Sequence, residues 1–579
     1  MSGQHELKFG TGIKLDDSYG VSYPSGTAGA FTFTGQFTGS AYADFLLGLP
    51  ASANVAFPRA RPYDVKSTEL GFYAQDSFRV TPSLTLNYGL RWEKYTTGYD
   101  ENGLYYNFDP STGSIIVPSA SAIQAISPLF PKAVPIMTAA QAGYPNHLIN
   151  SSGKFLPRFS FAYRLASSLV IRGGYGIYAV PPYSQNSGDS RTQTGGPFQI
   201  SQSYTNTITN GAPLIQFPQA VPAGLGELSS VNVTGVTKDF KLPYDQQWNL
   251  TIEKQVSNTS VRLSYIGQKD TQLAYTANIN LPFPSTIPFS TQRLIYPNFR
   301  NVNMTVNGGN QSYNAFQADF TRPAAAGLTF QGGYTWAKAL TDVPTSDFSG
   351  YTAAIEDPYA RNLERGNSYI VPTHDVRFQA DYQVPVGRGK RWLGNPSNGA
   401  EAFANVLFGG WTLNGIQGWN SGTWTTPMFS GNDPTGMGLF GGRPDVVAGC
   451  NPNNVPGGQT PNNFWNLSCF QAPPSNIGRD GDAGVGTLEG PSHFYLDFGL
   501  FKQFALSSAW KSAYFDSHPV RLRFGVVAAN VLNHPIFDLP GTNINSPSTF
   551  GRITGSTWGL MPYQFPSPRT LEFRMFLDF

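Results

Sequence analysis

Apolar residues occupy every second position over about ten residues, the chain turns, and the alternation resumes; this unit recurs from one end of the sequence to the other. A period of two puts the apolar set on one face of a β-strand. Two such runs joined by a short polar turn read as an antiparallel hairpin. Leu70, Phe72, Ala74, Phe78 and Val80 lead through Thr81-Pro82-Ser83 to Leu84, Leu86, Tyr88, Leu90 and Trp92. Phe159, Phe161, Tyr163 and Leu165 lead through 166–168 to Leu169, Ile171, Gly173, Tyr175 and Ile177. Trp248 to Val256 pairs in the same way with Val261 to Tyr265, and Phe316 to Phe320 with Leu328 to Trp336 across a turn at Pro323 to Gly327. Two hairpins with longer turns follow, Val376–Val384 with Trp411–Leu413, and Phe494–Leu500 with Leu522–Ala528.

Runs of this length suit strands that cross an outer membrane, with one face in hydrocarbon and the other wet. A strand in lipid cannot leave N–H and C=O groups unpaired, so such a sheet must close. The expected fold is therefore all-β, a transmembrane antiparallel β-barrel with about fourteen visible strands. Between hairpins run long excursions, Thr97 to Pro157, Pro181 to Pro243 and Asn420 to Pro491, rich in Gly, Pro and Asn. Short turns on one side and long loops on the other place the loops outside the cell. The last strand sets Leu571, Phe573, Met575, Leu577 and Phe579 on one face and ends on an aromatic, like the C-terminal signature read by outer-membrane assembly machinery.

Composition narrows the alternatives. Charged residues are 13% of the chain, about half the proportion usual in soluble proteins, and aromatics are 14%. A net charge of +2 lacks the basic footprint that nucleic acid requires. No apolar stretch reaches the ~18 residues of a spanning helix, and Ala43 to Phe57 reads as a helical turn followed by loop. The mean hydropathy of −0.24 fits strands whose two faces differ, but fits a soluble β protein as well. Cys450 and Cys469 share one polar loop, where either a disulfide or two thiols would fit. The first residues, MSGQHELKFGTGI, contain no export signal. The strand pattern makes the sequence look like the later part of a longer protein, with Ser2-Gly3 at a turn and His5–Ile13 as an artificial edge.

Catalytic motifs are not evident. Gly436 to Gly441 fits GxGxxG but lies in a loop and opens no helix. Arg479-Asp480-Gly481-Asp482 lacks the remaining ligands of a calcium loop. Gly387-Arg388-Gly389-Lys390-Arg391 lacks the spacing of a phosphate loop and reads as a basic turn near anionic lipid or a partner. HExxH and GxSxG are missing, so no enzyme, metal site or cofactor is expected. The loops carry Tyr99, Tyr105, Tyr106, Tyr183, Tyr204, Trp419, Trp424 and Trp465, residue types that stack on sugar or peptide faces. The competing assignment is to the aromatic girdles at the membrane boundaries.

ADFLLGLP (Ala43–Pro50), FYAQDSFRVTPSLTLNYGLRWE (Phe72–Glu93), GLTFQGGYTWAKALTD (Gly327–Asp342), VPVGRGKRW (Val384–Trp392), GGWTLNGIQGWNSGTW (Gly409–Trp424) and NVLNHPIF (Asn530–Phe537) resemble, in order, the barrel of the Oar-like TonB-dependent receptors. The resemblance implies that residues 1–579 form one partial domain of a barrel of about 22 strands, without plug, TonB box or first strands. It implies uptake of a bulky nutrient, an oligosaccharide or peptide, across the bacterial outer membrane. The partners would be membrane lipid, the barrel assembly machinery, an extracellular ligand, and the TonB complex through the missing plug. A non-transporting adhesin or scaffold on the same barrel, and a secreted soluble all-β glycan-binding protein, are the alternatives. The last would bury Leu571, Phe573, Met575 and Leu577 against a second sheet.

Overall fold

A computed structural model describes residues 4–22, 29–58, 60–96, 98–180, 196–219, 228–343, 355–505, 520–556 and 568–578. Its dominant feature is a single sheet whose long members are β1 (His5–Ser22), β2 (Arg61–Thr81), β3 (Leu84–Tyr95), β4 (Ser152–Ala166), β5 (Leu169–Ala179), β6 (Tyr244–Val256), β7 (Thr259–Asn278), β8 (Phe299–Ala325), β9 (Leu328–Thr341), β10 (His374–Gln383), β11 (Trp411–Asn420), β12 (His493–Ala505), β13 (Arg521–Ala529) and β14 (Thr570–Asp578). Each pairs antiparallel with the next in chain order, so the ladder is a plain meander. Among the described residues, the registers join β1 to β2 alone and β14 to β13 alone.

Alternation fixes which way each side chain points, because a slip of one residue would exchange the faces. On β14, Leu571, Phe573, Met575 and Leu577 are 59%, 73%, 72% and 54% exposed, with no second sheet over them. The outward set continues across neighbouring strands as a belt in which Phe320, Phe330 and Phe378 lie 5.7 to 6.3 Å apart and Phe72 stacks on Trp92 at 6.1 Å. Phe579 lies outside the described residues, as do Ser2 and Gly3. One carboxylate, Asp76, stands on this apolar face. His5 Nδ1 and the Tyr88 hydroxyl, both at 2.7 Å, bond its Oδ2 across β1, β2 and β3, while its Oδ1 is buried with no hydrogen-bond partner among the described residues.

The turn between β8 and β9 is tighter than Pro323 to Gly327. Strand β8 runs to Ala325, and only Ala326 and Gly327 turn, with φ of 53° and 84°. A Cβ on Gly327 would meet the Gln383 carbonyl at 2.7 Å, so glycine is needed there. Two further boundaries differ from the sequence reading. The chain after the short Ala41–Leu46 helix forms a strand, Ser52–Phe57, rather than a loop. The β10–β11 turn contains a ten-residue helix, Gly399–Phe408.

The long excursions also fold, each around a small apolar core. Strands Asn107–Asp109, Ser114–Val117 and Ile136–Thr138 form a sheet over Phe108, Ile115, Phe130, Val233 and Val302. Asn107 holds this module to its neighbour, donating to the Leu148 and Val236 carbonyls and accepting from Val236 N–H. A second core gathers Phe429, Trp465, Phe470, Leu488 and Phe550. Excursions this long stay ordered only by burying apolar surface of their own, at roughly 1.5–3 kcal/mol per large side chain.

Candidate functional site

Polar residues alternate with the lipid-facing set and line the opposite face of the wall, where two recesses open. The first, about 480 Å³, is formed by five adjacent strands, with Tyr73 and Gln75 on β2, Arg91 on β3, Arg158 on β4, Tyr178 on β5 and Asn249 on β6. Arg158 lies 4.3 Å above the Tyr178 ring and Arg91 lies 5.9 Å from Tyr73. Both cations are thereby held against aromatic faces. The hollow exists because glycines stand in it. A Cβ at Gly89 would press on Gln75 at 2.7 Å, and one at Gly176 on the Tyr178 ring at 3.0 Å.

The second recess, about 660 Å³, lies between β7 and β12. Arg262 pairs with Asp319 at 3.1 Å and Arg377 with Asp375 at 3.0 Å, and the Gln331 amide donates to Gln379 at 3.2 Å. Tyr313, Gln317 and Tyr495 complete the lining. Both recesses offer amides, phenols and guanidinium groups alongside apolar side chains such as Leu90 and Phe159 in the first and Phe378 and Ile416 in the second.

The loop aromatics divide into two sets. Tyr105 and Tyr106 are buried, with hydroxyls bound to the Asn146 carbonyl and to Thr234 at 3.1 Å each. Trp465 is fully buried, and its indole N–H donates to the Glu489 carbonyl at 2.7 Å. These three therefore build loop cores and present no face to a ligand. Trp424 and Tyr204 stay half-exposed, Trp424 with the Lys338 ammonium 5.6 Å from its ring. Burial raises the Tyr204 hydroxyl above its ordinary pKa. Tyr99 stacks on His147 at 3.8 Å, Trp419 belongs to the outward belt, and Tyr183 lies outside the described residues. Cys450 and Cys469 are joined, with Cα atoms 5.3 Å apart.

The sequence reading missed a buried charge cluster that ties residues 355–365 to the loop beyond β11. Arg443 bonds Glu356 through its Nε and the Leu363 carbonyl through Nη1, and lies 3.6 Å from Glu364. Asp480 packs beside it. Burial, then the charges of Glu356 and Asp357, push its carboxyl up to about 7. Glu364 is also raised, by burial first. The Gly436–Gly441 pattern opens no helix and ends in a two-residue strand, Gly441–Gly442, while the Arg479-to-Asp482 run is loop. Asp433 accepts the Gly438 N–H at 2.7 Å, and Arg479 pairs with Asp445 at 2.7 Å. Among the described residues no three His, Cys, Asp or Glu side chains gather as a metal site.

Residues 1–565 match the model of a family described as an outer membrane beta barrel domain. Solved structures similar to the chain include the ferripyoverdine receptor of the outer membrane of Pseudomonas aeruginosa, at 12% identity and a TM-score of 0.38, covering 89% of this chain and 39% of that one. The FrpB iron transporter of Neisseria meningitidis is similar at 11% identity and a TM-score of 0.40, covering 100% and 53%. The ferric preacinetobactin receptor BauA of Acinetobacter baumannii is similar at 10% identity and a TM-score of 0.38, covering 90% and 44%. The chain thus spans about half or less of the length of these receptors. No curated protein matches the sequence.

Proposed function

We propose, from the premise that this chain belongs to the outer membrane beta barrel domain family and lies in the bacterial outer membrane, that it is the wall and mouth of a TonB-dependent receptor of the Oar-like kind. The receptor takes up a bulky polar nutrient, an oligosaccharide or peptide. The observation that carries the reading is the polar face of the meander. Its two recesses combine Arg, Tyr, Gln and Asn, the side chains that bind hydroxyl and amide edges while stacking on flat faces. Half-exposed Trp424 and Tyr204 supply aromatic contacts at the mouth.

Gating and energy coupling would come from a plug and TonB box outside residues 1–579. Among the described residues the outer edges of β1 and β14 have no register partner, and hydrocarbon requires that they pair, with each other or with further strands of a longer receptor. The test is uptake of labelled oligosaccharide and peptide pools by cells with and without the coding sequence, each with and without an uncoupler of the proton-motive force. Loss of uptake on deletion and on uncoupling, and reduced uptake by the Arg91→Ala, Arg158→Ala double variant at unchanged membrane level, are the expected results. Uptake that survives both deletion and uncoupling would refute transport.

A further inference from the structure

The β10–β11 connection lies on the short-turn side and contains a helix built the wrong way round for a water-soluble surface. In Gly399–Phe408, residues three and four apart share a face, so Phe403, Val406 and Leu407 point one way and Asn405 the other. It is the polar side that meets the protein. The Asn405 amide donates to the Leu393 carbonyl at 3.0 Å, and Glu401 caps the helix start through the Ser397 N–H and hydroxyl. The apolar side is left open, with Phe403 65%, Val406 57% and Leu407 47% exposed, and Phe408 at the helix end is 61% exposed as well. No residue of the helix is buried.

The helix is anchored to the lipid-facing belt. Its end is held by Lys502, whose ammonium donates to the Leu407 carbonyl at 3.2 Å and also bonds the Gly409 carbonyl. The Trp411 indole donates to the same Leu407 carbonyl at 2.9 Å. Trp411 and Lys502 are cross-strand partners on the outward face of β11 and β12, so the open side of the helix is continuous with the surface that hydrocarbon covers. Ahead of the helix, Arg388, Lys390 and Arg391 are all exposed, and Glu401 is the only carboxylate between Val384 and Gly410. Trp392, 54% exposed beside Arg391, adds an indole of the kind that favours the membrane boundary.

We propose that residues 388–408 form a lipid-binding foot, in which the helix lies in the headgroup plane of the short-turn leaflet and the three cations engage anionic phospholipid. An apolar helical face beside a basic, polar one is the design of an interfacial helix. Cations near an anionic surface contribute about a fivefold change in residence each. The foot would brace a short-side connection too long to be held by its hairpin alone.

The experiment places an environment-sensitive fluorophore on Phe403→Cys in the full chain, inserted into vesicles of phosphatidylethanolamine and phosphatidylglycerol with brominated acyl chains. Companion labels go on Met575→Cys, on the outward face of β14, and Asn102→Cys, in an exposed loop. The expected result is a blue-shifted, bromine-quenched signal at position 403 that approaches that at 575. Quenching should weaken when phosphatidylcholine replaces phosphatidylglycerol, and R388Q/K390Q/R391Q should abolish that difference. A label at 403 as wet as the one at 102, in vesicles where 575 is quenched, would overturn the proposal. So would shielding that appears only as protein density rises, since the face would then be covered by a second copy.

Discussion

Replacing Arg443 by methionine removes the cation from the centre of a buried loop cluster while keeping an unbranched apolar stem in its place. Arg443 and Glu364 are 2% and 3% exposed, so solvent screens their interaction little. Glu356 would lose its bond to the Arg443 Nε, the Leu363 carbonyl its donor, and Glu364 and Asp480 the positive charge beside them. Breaking a buried pair by removing one partner costs about 3–5 kcal/mol, because the charge left behind is uncompensated. If residues 355–365 and the loop beyond β11 open as one unit, their opening should rise about a hundred-fold to a few thousand-fold. Hydrogen exchange read by mass spectrometry on the full chain measures this directly. Faster exchange is expected in peptides carrying the Glu356, Arg443 and Val447 amides, which bond Glu364, Glu356 and the Cys469 carbonyl in the native loop. Peptides from β10 and β11 should be unchanged. Adding Glu356→Gln and Glu364→Gln should recover part of the loss by removing the stranded charges. Unaltered loop exchange in Arg443→Met, or a loss that spreads into the wall strands, would show that the cluster does not hold the loops together.

Three further outcomes follow from the same structure. The carboxyl of Asp480 sits at about 7 in the folded loop, above its ordinary value, so the folded state holds a proton that the opened loop releases. Its contribution is full below about pH 4 and is lost as pH rises through 7; loop protection, corrected for intrinsic exchange, should therefore fall from pH 5 to pH 8 and flatten in Asp480→Asn. Replacing Cys450 and Cys469 by serine opens a loop with a sequence separation of 19 and should cost about 3 kcal/mol in the chain-entropy account, read as faster exchange around Trp465. Phe573→Arg puts a charge into the lipid-facing belt and should cost about 2–4 kcal/mol near mid-membrane, whereas Arg574→Gln on the opposite face loses only an exposed pair with Glu572 and should leave stability nearly unchanged; urea unfolding in vesicles separates the two.

The wall was legible because its signal is local and repeated. Phe72, Ala74 and Phe78 on one strand and Leu86, Leu90 and Trp92 on the next each obey the same two-residue period, and β2 and β3 pair them across the turn in the structure. The period does not, however, explain an exception. Asp76 falls on the apolar face, where it is met by Tyr88 on the neighbouring strand and by His5, 71 residues earlier in the chain. The loops were opaque for a related reason. Tyr105 and Tyr106 look like ligand-stacking residues in sequence, and nothing within a few positions tells that Asn146 and Thr234 will take their hydroxyls. Burial of that kind depends on contacts over forty to more than a hundred residues, which composition and spacing do not encode. The Gly399–Phe408 helix escaped notice because three turns with a single apolar face make a weak period beside fourteen strands.

The burial of those tyrosines changes where recognition can occur. A mouth built from mobile loops would have to order them whenever a ligand arrives, at roughly 1–2 kcal/mol per backbone residue fixed. Loops that already bury Phe108, Trp465 and Phe550 in cores of their own have met that cost during folding. The aromatics spent on those cores are thus withdrawn from contact but give shape to the ones that remain, Trp424 beside Lys338 and Tyr204 beside Val55. On the proposed function, specificity would rest on a few half-exposed rings at a preformed mouth and on the glycine-hollowed recesses of the wall below. Under that proposal, substitutions at Arg91 and Arg158, which line a recess, are more informative than any change to the buried tyrosines.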